Sequence, residues 1–196
     1  MPLPTYDKSK RRKSFPQLPK DAYVCRLIGA KLVKSNDGNS EFLEIGFDIA
    51  EGEYAGFYQK QYDNMDAATK KWPNDGIFRL FVPDSNSPDY TVQNWNDFFA
   101  NLEDSNNGYV FGGNLRELKD KLIGGKMHIE QSEYNGNVYD HTRFRYSCVS
   151  EDVRKGTAGR LPKDKLISGS GNSTSRPAPG DGFMQIPEDS EEELPF

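Results

Sequence analysis

The sequence predicts a mainly β fold: a five-stranded barrel with a helical insertion between its third and fourth strands and a disordered C-terminal tail. Three observations carry this. Apolar and polar residues alternate strictly through Glu41–Ile49, the period of a half-buried strand. Two extended runs flank Asn135-Gly136, a favoured two-residue hairpin turn. The only helical periodicity lies between the strand runs at the two ends of the folded region.

Residues 1–20 are basic and contain proline with little apolar pattern, and read as a flexible arm able to touch phosphates. Ala22–Val33 reads as the first strand, followed by the turn-rich Ser35-Asn36-Asp37-Gly38-Asn39. In the second strand Leu43, Ile45, Phe47 and Ile49 face the core, while Phe42, Glu44, Gly46 and Asp48 face outward. Gly56–Tyr62 reads as the third strand, with Tyr58, Lys60 and Tyr62 on one side. Val92, Trp95, Phe99 and Leu102 recur at helical spacing, predicting a helix over about Thr91–Leu102. A second helix is expected from Asn114. Asn114 caps it, Glu117 reaches back, Leu115, Leu118 and Leu122 face inward, and Gly124-Gly125 stops it.

Lys126–Tyr134 and Asn137–Val149 complete the hairpin. If Asn135-Gly136 sets the register, facing residues have numbers that sum to 271. Met127 then opposes Phe144 and Ile129 opposes Thr142 on one face. Lys126–Arg145, His128–Arg143, Glu130–His141 and Ser132–Tyr139 pair on the other. Five strands with helical material between the third and fourth is the arrangement of an OB-like barrel. An α+β domain or a small β-sandwich remains open. Residues 21–150 are the expected domain, 151–187 a Gly, Ser and Pro-rich linker, and 188–196 an acidic tip.

The composition bounds the function. Mean hydropathy is −0.82, with 35% hydrophobic and 12% aromatic residues. So polar a chain needs its rings for a core, a binding surface, or both. Net charge is −5, but residues 181–196 hold six acids and no base. Subtracting that −6 leaves residues 1–180 at +1, so the acidity belongs to the tail. Cys25 and Cys148 have no metal or redox spacing and read as buried thiols. No apolar run reaches the roughly 20 residues of a membrane span, and no signal-peptide pattern opens the chain. The expectation is a cytoplasmic protein with no membrane partner, cofactor or metal.

No HExxH, P-loop, GxSxG or GxGxxG occurs, and there are only two histidines. The expectation is therefore not an enzyme; Asp48, Glu130, Glu133 and Asp140 are the carboxylates from which a metal-dependent nuclease would be built. Single-strand binders need cations for the backbone and flat rings for the bases. Lys126, Arg143, Arg145, Tyr134 and Tyr139 on the hairpin, and Tyr58, Lys60 and Tyr62 on the expected third strand, supply both. Trp72, Phe78, Arg79 and Phe81 in the connecting region add to them. Single-stranded DNA is the expected ligand.

The tip Glu191-Glu192-Glu193-Leu194-Pro195-Phe196 joins an acidic run to an aromatic ring, suited to a pocket with a basic rim. It resembles the tip of bacterial single-stranded DNA-binding proteins, which typically end in acids followed by Ile-Pro-Phe, with Leu194 in place of the Ile. The size of the body, its long insertion and its hairpin look more like phage-encoded single-stranded DNA-binding proteins. The resemblance implies that the tip docks replication or recombination proteins, with Pro195 and Phe196 as anchors. Homo-oligomerisation is left open. The competing reading is a virion or assembly β-protein with an interaction tail.

Overall fold

The computed structural model describes residues 16–35, 38, 40–65 and 70–167. The expected acidic tip and most of the expected linker and arm lie outside them. Five antiparallel strands form one sheet in the order β3-β2-β1-β4-β5. They are β1 (Ala22–Lys34), β2 (Glu41–Ile49), β3 (Ile77–Phe81), β4 (Leu122–Tyr134) and β5 (Asn137–Cys148). Three helices accompany them: α1 (Phe57–Asp63), α2 (Asp89–Ser105) and α3 (Ser150–Lys155).

The core face of the second strand is as its alternation requires, but on the other face Asp48, expected to point outward, is buried. Leu43, Ile45, Phe47 and Ile49 are fully buried and pair with β1. On β1, Leu27 and Ala30 are three residues apart, which in a regular strand puts them on opposite faces. A bulge between Leu27 and Gly29 restores the phase, so Leu27 pairs with Phe47 and Ala30 with Ile45. Phe47, Phe78 and Phe144 then meet at the centre of the core, with ring centroids 5.3 and 4.5 Å from Phe144.

Gly56–Tyr62 is not a strand. Gly56 turns the chain in the left-handed region (φ 72°) and Phe57–Asp63 forms α1. The cause is Asp48, buried at the end of β2. Its Oδ1 accepts from the Tyr58 N–H at 2.8 Å and its Oδ2 from the Gln59 N–H at 3.3 Å. A carboxylate thus satisfies orphan donors of the first turn and sits at the positive end of the helix dipole. The third strand is instead Ile77–Phe81, paired to β2 with Gly46 opposite Ile77 and Phe42 opposite Phe81.

The helical insertion lies between β3 and β4 as expected. The buried side of α2 is Thr91, Phe98, Phe99 and Leu102, whereas Val92 is exposed. The stretch after Asn114 makes only a short 3-10 turn, Leu115–Leu118, with the Asn114 side chain accepting from the Arg116 N–H. Gly124 and Gly125 do not stop a helix; they lie inside β4. A Cβ on Gly124 would come within 2.6 Å of Cys148 Sγ, and one on Gly125 within 3.0 Å of Cys25 Sγ. Both thiols are buried and unpaired with each other.

The hairpin turn forms with positive φ at both Asn135 (52°) and Gly136 (74°), as the primed turn demands. The register sums to 271 from Tyr134–Asn137 up to Met127–Phe144. A bulge then makes Lys126 face Tyr146, so the expected Lys126–Arg145 pair does not exist and Arg145 is the extra residue.

The expected barrel is not closed: the sheet is open, with β3 and β5 as its two ends. Side chains bridge the gap where β3 is too short to reach. Arg143 donates to the Asn74 carbonyl at 2.8 Å and pairs with Asp75 at 3.2 Å, and His141 lies 3.3 Å from Asp75.

The ends of the domain are more ordered than the composition suggests. Leu18, placed in the flexible arm, is buried, and its carbonyl accepts from the Thr142 hydroxyl. The segment read as linker opens with α3 and continues to residue 167 along β4. There the Gln131 N–H donates to the Lys165 carbonyl at 2.9 Å and the Lys165 N–H to Ile129 at 2.8 Å. Lys20–Asp164 (2.8 Å) and Lys165–Glu130 (2.7 Å) pin it further. Among the described residues no helix is long and apolar enough to cross a membrane.

Candidate nucleic-acid interface

The outward side chains of β1, β2 and β3 form the floor of a groove of about 700 Å³. Gly29 and Gly46 face each other across β1 and β2, so the middle of the floor has no side chains. Trp72 fills the space this leaves, with its Cδ1 3.8 Å from where a Cβ on Gly46 would be. Its Nε1 donates to the Gly76 carbonyl at 3.0 Å. That approach needs glycine at 76, where a Cβ would lie 2.7 Å from the indole nitrogen and 3.0 Å from the Tyr58 ring.

α1 delivers Tyr62 to the same wall, its ring 5.7 Å from that of Trp72. Lys70 caps the Tyr62 ring at 4.7 Å, and Lys31 and Lys71 also line the groove. On the floor Glu44 bonds to Lys31 at 3.0 Å and to Arg79 at 2.9 Å, a row of three charges across three strands. Partial burial pulls the Glu44 carboxyl toward its neutral form. The hydrogen bonds from Lys31 and Arg79 outweigh this and hold its pKa below the ordinary glutamate value.

The groove runs into a second depression of about 430 Å³ along the open seam between β3 and β5, the two sharing Asn74 and Ile77. Arg79, Arg143, Arg145 and His128 line the seam with Glu130. Groove and seam together carry six Lys or Arg side chains against two carboxylates, Glu44 and Glu130, so the path is cationic. Arg143 is committed to Asn74 and Asp75. Arg145 makes no hydrogen bond or ion pair among the described residues and rests on the Tyr146 ring, 5.2 Å away.

The residues singled out from the sequence divide accordingly. Tyr62, Trp72, Arg143 and Arg145 meet on this path, although they come from three separate segments, α1, the loop before β3, and β5. Tyr58 does not: it is in the core, edge-on to Phe47 at 5.4 Å, because α1 rather than a strand holds it. Lys60 points away and donates to the Ala55 carbonyl at 2.9 Å. Lys126 is half-buried next to Gly159, outside the groove. Tyr134 and Tyr139 are exposed at the far end of the hairpin. The expected tip residues Glu191–Phe196 lie outside the described residues.

Sequence reasoning missed Lys31, Lys70, Lys71 and Gly46. The signal for two of them was present: Lys70-Lys71-Trp72 sets two cations directly before a tryptophan. Among the described residues no three or more His, Cys, Asp or Glu side chains group to hold a metal ion. Neither a protein-family model nor a curated protein sequence matches this chain.

Proposed function

We propose that this chain binds single-stranded DNA with little sequence preference, through an OB-like barrel left open at its β3–β5 seam. The strand order, with a helical insertion between β3 and β4, fits the five-stranded, partly open barrel whose second and third strands face oligonucleotides. The observation that carries the reading is the pairing of Trp72 and Tyr62 with Lys31, Lys70 and Lys71 in one groove. Rings stack on any base, and cations follow any phosphate backbone. In a duplex the base faces are already stacked, so the rings favour a single strand. The acidic segment ending in Leu194-Pro195-Phe196 would recruit replication or recombination proteins, as its resemblance implies. Phe196→Ala would then abolish that recruitment while leaving DNA affinity unchanged.

The test uses the chain's own fluorescence. It has two tryptophans, Trp72 and Trp95, and Trp95 packs on Phe99 at 4.9 Å, away from the groove. In a Trp95→Phe variant, excited at the red edge where tyrosine does not absorb, only Trp72 emits. Titration with oligo-dT should quench it saturably, and the same length of duplex should bind far more weakly. Absence of saturable quenching by any single strand, with no binding in a parallel gel-shift, would overturn the reading.

A further inference from the structure

Beyond the groove and the seam lies a third concavity of about 250 Å³. Five aromatic rings line it: Phe78 and Phe81 on β3, Tyr90 and Phe98 on α2, and Tyr146 on β5. Three of them, Phe81, Tyr90 and Tyr146, are largely exposed, Tyr90 to 66%. Water-exposed rings converging from three distant segments are poor use of apolar surface unless something covers them. The pocket also has a polar wall. Asn94 and Asp97 stand one helical turn apart on α2, and their side chains make no hydrogen bond or ion pair among the described residues.

The pocket shares Phe78, Arg79 and Arg145 with the seam. A strand lying in the seam therefore has at the pocket mouth the unpaired Arg145 guanidinium and, beside it, Arg79, whose Nε and Nη2 are held by Glu44 and whose Nη1 is left for a phosphate. We infer that this pocket receives one base turned out of the bound strand, held against Tyr90 and Tyr146 while Arg79 and Arg145 hold the flanking phosphates. The inference rests on the single-strand reading above. It adds an end point to the path, on the α2 side of the sheet. Asp97 accepts an N–H from the edge of the inserted base. Every natural base presents at least one such group, so the pocket stays tolerant of sequence.

The experiment uses the full chain and the shortest oligo-dT that retains full affinity, so that the register cannot slide. An abasic site is walked along the oligomer. One position should cost the wild type roughly 5- to 150-fold in affinity, the loss of one stacked base. Trp72→Ala, which removes a ring in the groove, should keep that penalty. Tyr90→Ala and Tyr146→Ala should weaken binding to the intact oligomer and abolish the penalty, and Tyr90→Phe should restore it. Thermal melts of each variant confirm the fold. Wild-type affinity in both alanine variants, or an abasic penalty that persists in them, overturns the pocket while leaving the groove intact. Failure of the wild type to bind any single strand overturns the reading beneath it.

Discussion

The indole of Trp72 lies in contact distance over Gly46, on the one part of the β1–β2 floor that lacks side chains. The position of the ring thus depends on a residue with no functional group. A Cβ at 46 would meet Trp72, and the Ile28 side chain, at an ordinary 3.8 Å. Gly46→Ala should therefore bind oligo-dT like the wild type. Gly46→Val adds two methyls in a space the indole occupies and should displace it. Its affinity loss should approach that of Trp72→Ala, about 1–3 kcal/mol for one stacking ring. Anisotropy titrations of dye-labelled oligo-dT with the three variants check this, and equal affinity for Gly46→Val and Gly46→Ala would count against stacking by Trp72.

The ionic part of the site has its own signature. Affinity should fall as salt rises, with a log–log slope of roughly −0.7 per phosphate neutralised. Lys70, Lys71 and Arg145 make no ion pair among the described residues, and Lys31 shares the single Glu44 carboxylate with Arg79, so replacing each by Gln should make the slope shallower. Lys126→Gln should leave it unchanged, because that side chain is outside the path. A salt series of titrations separates the two groups.

How far the sequence carried this reading differs from element to element. The hairpin was legible because Asn135-Gly136 fixes both turn and register locally, and eight pairs from Tyr134 to Met127 follow from it. The bulge beyond was not, because it responds to packing against β1 and α3. The helix at Phe57–Asp63 was misread since Tyr58, Lys60 and Tyr62 also fit a period of two. Seven residues hold both patterns, and the decision came from Asp48, ten positions upstream of Tyr58. That error put Tyr58 in the site and left Ile77–Phe81 among the connecting loops. Trp72 was recognised as a binding residue from its type alone. Its floor, two glycines on different strands, is a property of strand pairing that no local pattern holds.

Glycine also governs stability elsewhere in the sheet, on β4. Gly124→Ala would drive a methyl into Cys148 and to 2.9 Å from Val153, and Gly125→Ala into the Phe144 ring. Neither neighbour is a flexible side-chain end. Each substitution should cost about 1–3 kcal/mol by overpacking, read as a lowered urea midpoint at unchanged slope. A midpoint equal to that of the wild type would show that β4 can shift to relieve the clash.

Burial lowers the pKa of His128 below its ordinary value; the hydrogen bond to the Lys163 carbonyl opposes this, and Arg145 adds to the lowering. The folded protein thus favours neutral imidazole more than the unfolded chain does. The unfolded chain binds more protons as pH falls through about 6.5, so stability drops below that point. The loss should level off once the folded-state pKa is passed. His128→Gln should flatten the change in melting temperature between pH 7.5 and 5.5, whatever its effect at neutral pH.

Asp48 offers the sharpest separation of structure from binding. It does not itself line the groove, yet its carboxylate holds the first turn of α1 and thereby the place of Tyr62. Asp48→Ala removes the acceptor for the Tyr58 and Gln59 N–H groups in a buried setting. Loss of a helix cap costs about 0.5–2 kcal/mol, and the burial of the freed donors places this case at the upper end. Asp48→Asn keeps one oxygen on the same stem and should recover most of the stability. If Tyr62 contributes by its position, Asp48→Ala should also lose oligo-dT affinity at temperatures well below its melt, and Tyr62→Ala in that background should add little more. Independent, additive losses from the two substitutions would mean that Tyr62 keeps its place without α1, and that Asp48 serves the fold alone.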